Sequence, residues 1–280
     1  MRARRFVQCD VFASAPATGA GLAVVIDGEN LSDMEMQAFA SWTNLAETTF
    51  LMPPTTAEAD YKVRIFTPKR ELPFAGFPTL GSCAAWLHSG GKPRSVGLVR
   101  QECGVGIVDV DAGGSVLAFA APRTTVMPLE PETLLAVVSA LGIAEDCVRR
   151  SARLSNGPVW QVLELSTAED VLAVDPSRIR PSHFPGLGLF GAHPAGSECQ
   201  FETRNLGPNS GTTEDPITGS LNAAIAWWMY GAGNWRAPVT IGQGTALGRN
   251  GRLFCRRDDM TGVVWVAGQT WILIEGTLSL

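Results

Sequence analysis

The chain is poor in histidine and in paired cysteines, and both shortages limit the chemistry open to it. It has three histidines in 280 residues, and none forms an H-x-x-x-H or H-E-x-x-H zinc motif. Its six cysteines are scattered without a C-x-x-C pair, and no G-x-S-x-G motif occurs. A zinc site, a set of disulfides and a Ser/His or Cys/His nucleophile are therefore not expected.

The chain also lacks an excess of basic charge and any long apolar run. Lysine and arginine number 22 against 27 aspartates and glutamates, so a nucleic-acid or anionic-membrane surface is not expected. No apolar run approaches the roughly 18 residues of a membrane span. The basic start is followed by Gln8 and Asp10 rather than by an apolar signal segment. We expect a cytoplasmic globular protein, and its length favours two domains of roughly 140 residues.

Short β-rich runs separated by turn residues predict a fold with many strands and few helices. Strands are predicted at 6–12, 22–26, 48–52, 61–66, 97–102, 106–110, 116–120, 159–165, 187–190, 239–241, 252–255, 263–266 and 271–274. Ser32 and Glu35 have the spacing of a capping box and predict a helix at 33–42. Pro131 and Gly142 bracket a second helix at 132–141. The Pro-, Arg- and Thr-rich segment before it indicates a linker.

One sequence element occurs twice, and its copies lie half a chain apart. Each copy has an arginine, then Glu-x-Pro-x-x-Gly, then a helix of small residues that ends in tryptophan. The copies run from Arg64 through Glu71 and Gly76 to Trp86, and from Arg204 through Glu214 and Gly219 to Trp227. This repeat predicts two similar halves.

The repeated element has the features of an anion site. Gly76 and Gly219 allow the backbone to approach a ligand closely. The first N–H groups of the helix that follows have no internal acceptor, and the helix dipole adds partial positive charge there. Two such helix ends suit a small carboxylate. The alternative is an ordinary strand–helix turn with a glycine for tight packing.

The chain resembles the PhzF-like (phenazine biosynthesis F type) family in motifs that run from end to end. The matching segments are 6–12 (FVQCDVF), 31–37 (LSDMEMQ), 44–50 (NLAETTF), 64–68 (RIFTP), 71–81 (ELPFAGFPTLG), 101–104 (QECG), 214–220 (EDPITGS) and 243–249 (QG and GR at its ends). The combination of N-L-x-E-T with D-P-x-T-G-S is specific.

The resemblance implies a mixed α+β fold of the diaminopimelate-epimerase type. Its two pseudo-symmetric domains would each be a β-rich half barrel around a central helix, with a cleft between them. The N-terminal domain would span residues 1–122, with a C-terminal strand at about 268–280 returning to it. The C-terminal domain would span residues 123–267. A homodimer is common among proteins of this kind and is expected.

The same resemblance implies an isomerase that uses neither a metal nor an organic cofactor. It would move a proton by acid/base catalysis on a small carboxylate-bearing metabolite bound between the domains. Glu47 matches the family's catalytic carboxylate, and Asp215 matches a second site residue. The implied substrate-binding residues are Gly76, Phe77, Pro78, Thr79, Gly219 and Ser220.

Glu47 and Asp215 can also be interpreted from the residues alone. An apolar setting around Glu47 would raise its pKa and make it a better base; it is formed by Trp42, Leu45, Phe50 and Leu51. The alternative is a solvated glutamate on a loop. For Asp215 the alternative is a turn-forming or N-capping aspartate before Pro216.

The chain departs from the family at three polar positions. Phe77 stands where the family usually has histidine, Ala20 where it has asparagine, and Ala46 where it has serine. These changes imply a different and more apolar substrate, or weakened chemistry. An alternative function is therefore a catalytically lapsed member that binds a metabolite or a protein. A hydrolase or lyase on the same scaffold is a third.

Overall fold

The computed structural model describes residues 2–179, 186–207 and 213–280. The strands are β1 Ala3–Val11, β2 Ala20–Val25, β3 Glu47–Met52, β4 Tyr61–Phe66, β5 Glu71–Leu72, β6 Leu98–Cys103, β7 Gly106–Asp111, β8 Leu117–Ala120, β9 Thr125–Met127, β10 Val148–Ser155, β11 Val159–Leu165, β12 Leu187–Ala192, β13 Phe201–Leu206, β14 Glu214–Asp215, β15 Val239–Gln243, β16 Gly251–Arg257, β17 Val264–Gly268 and β18 Thr270–Ser279. The helices are α1 Asp33–Thr43, α2 Gly76–His88, α3 Pro131–Leu141, α4 Ala168–Ala173 and α5 Gly219–Gly231. Within the described residues, no helix is long and apolar enough to cross a membrane.

The chain divides into two compact units. Unit 1 contains residues 1–120 and 267–280, and unit 2 contains residues 121–266. The last strand, β18, pairs antiparallel with β1 along nearly its whole length, so the end of the chain completes the sheet of unit 1. The boundaries predicted from the sequence lie within two residues of these divisions.

Unit 1 has a sheet in which helices connect parallel strands. Strand β1 pairs antiparallel with β2, and β2 pairs parallel with β3 across α1. Strand β4 pairs antiparallel with both β3 and β5, and parallel with β6 across α2. Strands β6, β7 and β8 continue as antiparallel neighbours.

Unit 2 repeats this order of elements. Strand β10 pairs antiparallel with β11, and β11 pairs parallel with β12 across α4. Strand β13 pairs antiparallel with both β12 and β14, and parallel with β15 across α5. Strand β15 then pairs antiparallel with β16. The same connections in both units confirm the predicted pseudo-symmetry of the mixed α+β fold.

Each unit has one helix that is buried on all sides. Helix α2 contacts strands across the sheet of unit 1, namely β1, β2, β3, β6, β8 and β18. The first eight residues of α2 and of α5 are all buried. A helix that is buried all round belongs to the core of its domain. The predicted half barrel around a central helix is therefore confirmed.

Several predicted elements agree closely with the structure. Helix α1 begins with the predicted Ser32–Glu35 capping box and ends at Asn44, a left-handed C-cap with φ 54°. Helix α3 has proline at its first position and Gly142 as its left-handed cap, with φ 67°. Strands β4 and β11 have the predicted bounds.

Other elements differ from the sequence prediction. The predicted linker contains a short strand, β9, which pairs with β10. Strand β10 was not predicted, because its sequence VRRSARLS is half polar and partly exposed. The short helix α4 and strand β13 were also missed.

Candidate functional site

The first four residues of α2 are the predicted binding residues Gly76, Phe77, Pro78 and Thr79. All four are buried, and the N-cap residue Ala75 makes no side-chain hydrogen bond to the helix end. The first internal bond of the helix runs from the Thr79 N–H to the Ala75 carbonyl, at 3.2 Å. The N–H groups of Gly76 and Phe77 precede that bond, so they have no acceptor within the helix.

The start of α5 is the equivalent position in unit 2. Gly219 and Ser220 are buried there, and the N-cap residue Thr218 makes no side-chain bond to the helix end. The first internal bond runs from the Asn222 N–H to the Thr218 carbonyl, at 3.1 Å. Both central helices therefore begin with buried N–H groups that no side chain of the N-cap residue satisfies.

The other three helices, α1, α3 and α4, begin differently. Helix α1 is closed by a capping box from Ser32 and Glu35, and helix α4 by one from Thr167 and Asp170. Helix α3 also lacks a side-chain cap, but proline occupies its first position and its first turn is partly exposed to solvent. Bare and buried N-termini are therefore a property of α2 and α5, the helices whose ends were predicted to bind a carboxylate.

A buried polar chain holds the first turn of α2 in unit 1. The Tyr61 hydroxyl donates to Gln101 Oε1 at 2.8 Å, and Gln101 Nε2 donates to Thr79 Oγ1 at 3.0 Å. Thr79 Oγ1 in turn donates to the Ala75 carbonyl at 2.9 Å. This chain connects the helix end to β4 and β6 and fixes its position in the sheet.

Glu47 is the first residue of β3, on the side of the sheet that carries α2. Its register partner on parallel β2 is Leu22, which lies against Gly81 of α2. Two residues along β3, Thr49 Oγ1 accepts a 2.9 Å hydrogen bond from Ser82 of α2. Because alternate residues of a strand share a face, Glu47 faces the helix as well. Its Oε2 atom is shielded from solvent.

The predicted apolar setting of Glu47 is wrong in two of its members. The Trp42 side chain is 80% exposed and stacks on Phe39. Phe50 lies on the opposite face of β3 and packs in the cluster beneath α1. Phe50 is three residues from Glu47 along the strand and so points to the opposite face, and Trp42 lies on α1 before the strand begins. The alternative of a solvated loop glutamate is wrong in its loop, since Glu47 begins β3, but the residue is partly exposed.

Asp215 ends the two-residue strand β14, opposite Asn205 of β13. Its Oδ2 atom accepts a hydrogen bond from the Thr218 hydroxyl at 2.5 Å. The pKa of Asp215 is raised to about 6: burial and the charge of Glu214 raise it, whereas the hydrogen bonds from Thr218 and Asn205 lower it. The residue itself is partly exposed. Asp215 is not the N-cap of α5, because that position belongs to Thr218.

A set of buried amides surrounds Thr218 and was not predicted. Gln243 Oε1 accepts from the Thr218 N–H at 3.0 Å and from Asn222 Nδ2 at 2.7 Å. Asn205 Nδ2 donates to Thr218 Oγ1 at 2.9 Å. These residues come from β13, α5 and β15, so no local sequence pattern brings them together. In the sequence, Gln243 stands out only as part of a segment that matches the family.

The repeated arginine of each unit holds the turn before the central helix. In unit 2, Arg204 and Glu214 are fully buried and form a bidentate pair at 2.9 Å and 2.7 Å. In unit 1, Arg64 and Glu71 form the same bidentate pair at 2.7 Å and 2.6 Å, but both are partly exposed. The sequence repeat therefore corresponds to one structural device that is present in both units.

Thiol chemistry has no support at either helix start. Phe77, in the first turn of α2, is 3% exposed and has no group that can carry a proton. Cys83 lies inside α2, and burial raises its pKa to about 12. Burial also raises the pKa of Cys103, at the end of β6. These thiols stay protonated near neutral pH, where a thiolate would be needed as base.

The predicted site residues therefore form two sets, one in each unit. Glu47 shares unit 1 with the bare end of α2, and Asp215 shares unit 2 with the bare end of α5. Comparison with known proteins places the chain in a family. The model for phenazine biosynthesis-like proteins (PhzC-PhzF) matches residues 9–276. The chain belongs to this family.

Curated relatives of this PhzF-family chain cover nearly its whole length. The antisense-enhancing sequence 1 protein of Schizosaccharomyces pombe is 36% identical, over 89% of this chain and 88% of the relative. The trans-2,3-dihydro-3-hydroxyanthranilate isomerase of Pseudomonas fluorescens is 30% identical, over 98% of this chain and 99% of the relative. The relatives from Pseudomonas fluorescens and Pseudomonas chlororaphis are isomerases by name, so the PhzF family of this chain is one of isomerases.

Solved structures support the same fold. A PhzF-family protein of Bacillus anthracis is similar with a TM-score of 0.84, at 18% identity and with full coverage of both chains. A hydroxyproline epimerase of Agrobacterium vitis is similar with a TM-score of 0.62, at 14% identity, covering 100% of this chain and 93% of the epimerase. The chain therefore shares its fold with a PhzF-family protein and with an epimerase.

Proposed function

We propose that the protein is an isomerase that moves a proton between atoms of a small carboxylate-bearing metabolite, with Glu47 as the acid/base group. The observation that carries the proposal is the contrast among the helix starts. Helices α1 and α4 begin with capping boxes. The central helices α2 and α5 begin with buried residues and have no side-chain bond from the N-cap residue. Bare helix ends favour an anion through their N–H groups and dipole.

The proposed chemistry combines the carboxylate of Glu47 with such donors. Glu47 takes a proton from a carbon atom of the substrate, and the electron pair left behind is delocalised toward an oxygen atom. N–H groups at a helix start stabilise the negative charge that develops on that oxygen. A proton is then returned to a different atom, so substrate and product have the same mass. Shielding of Glu47 Oε2 from water favours the basic role.

Asp215 serves the same reaction as a supporting carboxylate. A pKa of about 6 means that it can accept and release a proton near neutral pH, which an ordinary aspartate does poorly. Because Glu47 and Asp215 supply the proton-transfer groups, this reaction needs neither a metal nor an organic cofactor.

The substrate class is a small, partly apolar carboxylate. One relative acts, by its name, on trans-2,3-dihydro-3-hydroxyanthranilate, a ring that carries a carboxylate. In this chain the first turn of α2 carries the apolar Phe77, which favours an apolar substrate group over one that needs a proton from that position. Cyclic and amino-acid carboxylates are therefore the compounds to test.

A second candidate function is the binding of a metabolite or protein without turnover. Phe77 favours it, because no proton can be transferred from that side chain, and one relative at 36% identity carries a name that states no enzyme activity. Phe77→His separates the candidates. Turnover that appears only in this variant, with unchanged ligand affinity, supports lapsed chemistry in the natural chain.

The proposed function is tested by incubating the purified protein in D₂O with a pool of small cyclic and amino-acid carboxylates. Chromatography with mass spectrometry compares the wild type with Glu47→Gln. A deuterium gain, or a retention shift without a change of mass, that only the wild type produces is expected. A product of different mass indicates a hydrolase or lyase instead. Identical changes with both proteins contradict the role of Glu47.

A further inference from the structure

Thr218 is the N-cap residue of α5, yet its hydroxyl makes none of the bonds that such a residue ordinarily makes. An N-cap threonine accepts from an N–H of the first helical turn, but Thr218 does not. Its Oγ1 atom instead lies 2.5 Å from Asp215 Oδ2, 2.9 Å from Asn205 Nδ2 and 3.3 Å from Gln243 Nε2. Thr218 is buried, whereas Asp215 beside it is partly exposed.

The direction of this network is fixed by two backbone groups. The Thr218 N–H can only donate, so the Gln243 atom 3.0 Å away must be the amide oxygen. The Thr218 carbonyl can only accept, so the Asn222 atom 2.9 Å away must be the amide nitrogen. Gln243 Nε2 is then turned toward Thr218 Oγ1 and toward the Asp215 carbonyl at 3.3 Å. Neither amide can be reversed without two donors or two acceptors facing each other.

The fixed amide of Gln243 therefore donates to Thr218 Oγ1, Asn205 Nδ2 donates to the same atom, and the Thr218 hydroxyl donates its own proton to Asp215. An oxygen atom that accepts this bond cannot carry a proton of its own in the same direction. We propose, on the basis of the supporting role given to Asp215 above, that Thr218 is a positioning residue. Its hydroxyl holds Oδ2 of Asp215 as an acceptor, so that Asp215 takes up and releases its proton at Oδ1.

The pKa of Asp215 depends on the charged groups and hydrogen bonds around it. Glu214, on the same strand, has a charge that raises the pKa of Asp215, and it is paired with buried Arg204 of β13. The Thr218 hydroxyl acts against burial and against Glu214, because it lowers the pKa of Asp215. Its removal is therefore expected to raise that pKa.

The test is a titration that needs no substrate. The protein is labelled with ¹³C at aspartate carboxyl carbons, and the Asp215 signal is identified by its absence in Asp215→Asn. Thr218→Val, which keeps the shape but loses the hydroxyl, is expected to shift the midpoint upward by about one pH unit, the size expected for a hydrogen bond to a charged group. Thr218→Ser keeps the hydroxyl and is expected to titrate like the wild type.

Thr203→Val is the matched control. Thr203 is also a buried threonine of unit 2, but its hydroxyl donates to Asn222 Oδ1 at 3.1 Å rather than to a carboxylate. Its loss is expected to leave the midpoint unchanged. The proposal is overturned if Thr218→Val titrates like the wild type, or if Thr203→Val shifts the midpoint as far.

A second measurement covers the case in which Thr218→Val does not fold. In the wild type, the Thr218 hydroxyl proton is expected to exchange slowly with water, and Asp215→Ala is expected to speed that exchange. Equal exchange in the two proteins overturns the proposal. Both measurements use the protein without substrate. The Thr218 proposal can therefore fail while Glu47→Gln still abolishes turnover, and it can hold while Glu47→Gln keeps turnover.

Discussion

Arg204 and Glu214 form a fully buried bidentate ion pair, and Arg64 and Glu71 form its partly exposed counterpart at the equivalent position of unit 1. Removal of one partner from a buried pair leaves a charge without compensation and costs about 3–5 kcal/mol, whereas an exposed pair contributes about 1 kcal/mol or less. Glu214→Gln is therefore expected to lower the free energy of unfolding several-fold more than Glu71→Gln. Urea unfolding of both variants measures the difference, and equal losses would contradict this prediction.

Asp215→Asn is expected to stabilise the protein at alkaline pH. The pKa of Asp215 is raised to about 6 by burial, so between its unfolded pKa and 6 the folded state binds more protons, and stability falls as the pH rises. Asparagine removes the buried charge, and its amide oxygen can still accept from Thr218. We expect a gain of about 1–3 kcal/mol near pH 8 and none at about pH 3.

Unfolding of Asp215→Asn and of the wild type at both pH values measures this gain. A loss of stability at alkaline pH, or an equal effect at both values, is the contrary result. Because Asp215 is proposed to support the proton transfer, Asp215→Asn is also expected to lower activity. Higher stability with lower activity is typical of the replacement of a residue kept for function.

Ala75→Ser is expected to stabilise α2 and to weaken ligand binding. Ala75 is the N-cap residue in an extended conformation, with φ −151° and ψ 142°, and a serine hydroxyl there can accept from the first-turn N–H groups. Such a cap adds about 1 kcal/mol, but it occupies the donors that we propose for the substrate. Affinity for a carboxylate is expected to fall about tenfold, the equivalent of about 1.4 kcal/mol.

Ser32→Ala at the start of α1 is the matched control for that change. It removes a capping box and is expected to lower stability by about 1 kcal/mol without any effect on binding. Calorimetric titration with the identified carboxylate measures both variants. Unchanged affinity in Ala75→Ser would show that the α2 start does not hold the ligand.

Removal of metal ions is expected to leave turnover unchanged, because the proposed reaction uses carboxylates and helix N–H groups. Dialysis against a chelator, followed by assay with and without added Mg²⁺, Mn²⁺ or Zn²⁺, tests this. Activity that is lost on chelation and restored by one ion contradicts the prediction.

The sequence predicts the elements whose signals are local. Ser32 and Glu35 bound α1 because a capping box needs only four consecutive residues, and strand β4 follows from its β-rich composition. Strand β10 is not predicted from the sequence, because its partly exposed, arginine-rich sequence resembles a loop. The repeated Arg, Glu-x-Pro-x-x-Gly element predicts the pseudo-symmetry, because each copy forms the same arginine–glutamate pair before its central helix.

The candidate site is less predictable than the fold. The start of α2, from Gly76 to Thr79, could be anticipated, because the glycine and the helix that follows are adjacent in sequence. The surroundings of Thr218 could not, since Asn205 and Gln243 reach it from separate strands. Trp42 was misassigned for a related reason: it is exposed on α1, and only the strand register shows which side chains share a face with Glu47.

The most direct test of the account is the turnover of Glu47→Gln on the carboxylate found in the D₂O screen. Loss of the acid/base group is expected to lower kcat by about 10²–10⁴-fold, while folding and ligand affinity stay unchanged. Glu58→Gln, an exposed glutamate of the same unit, is expected to keep wild-type turnover. Wild-type kcat in Glu47→Gln would contradict the account and leave the proton transfer to another group.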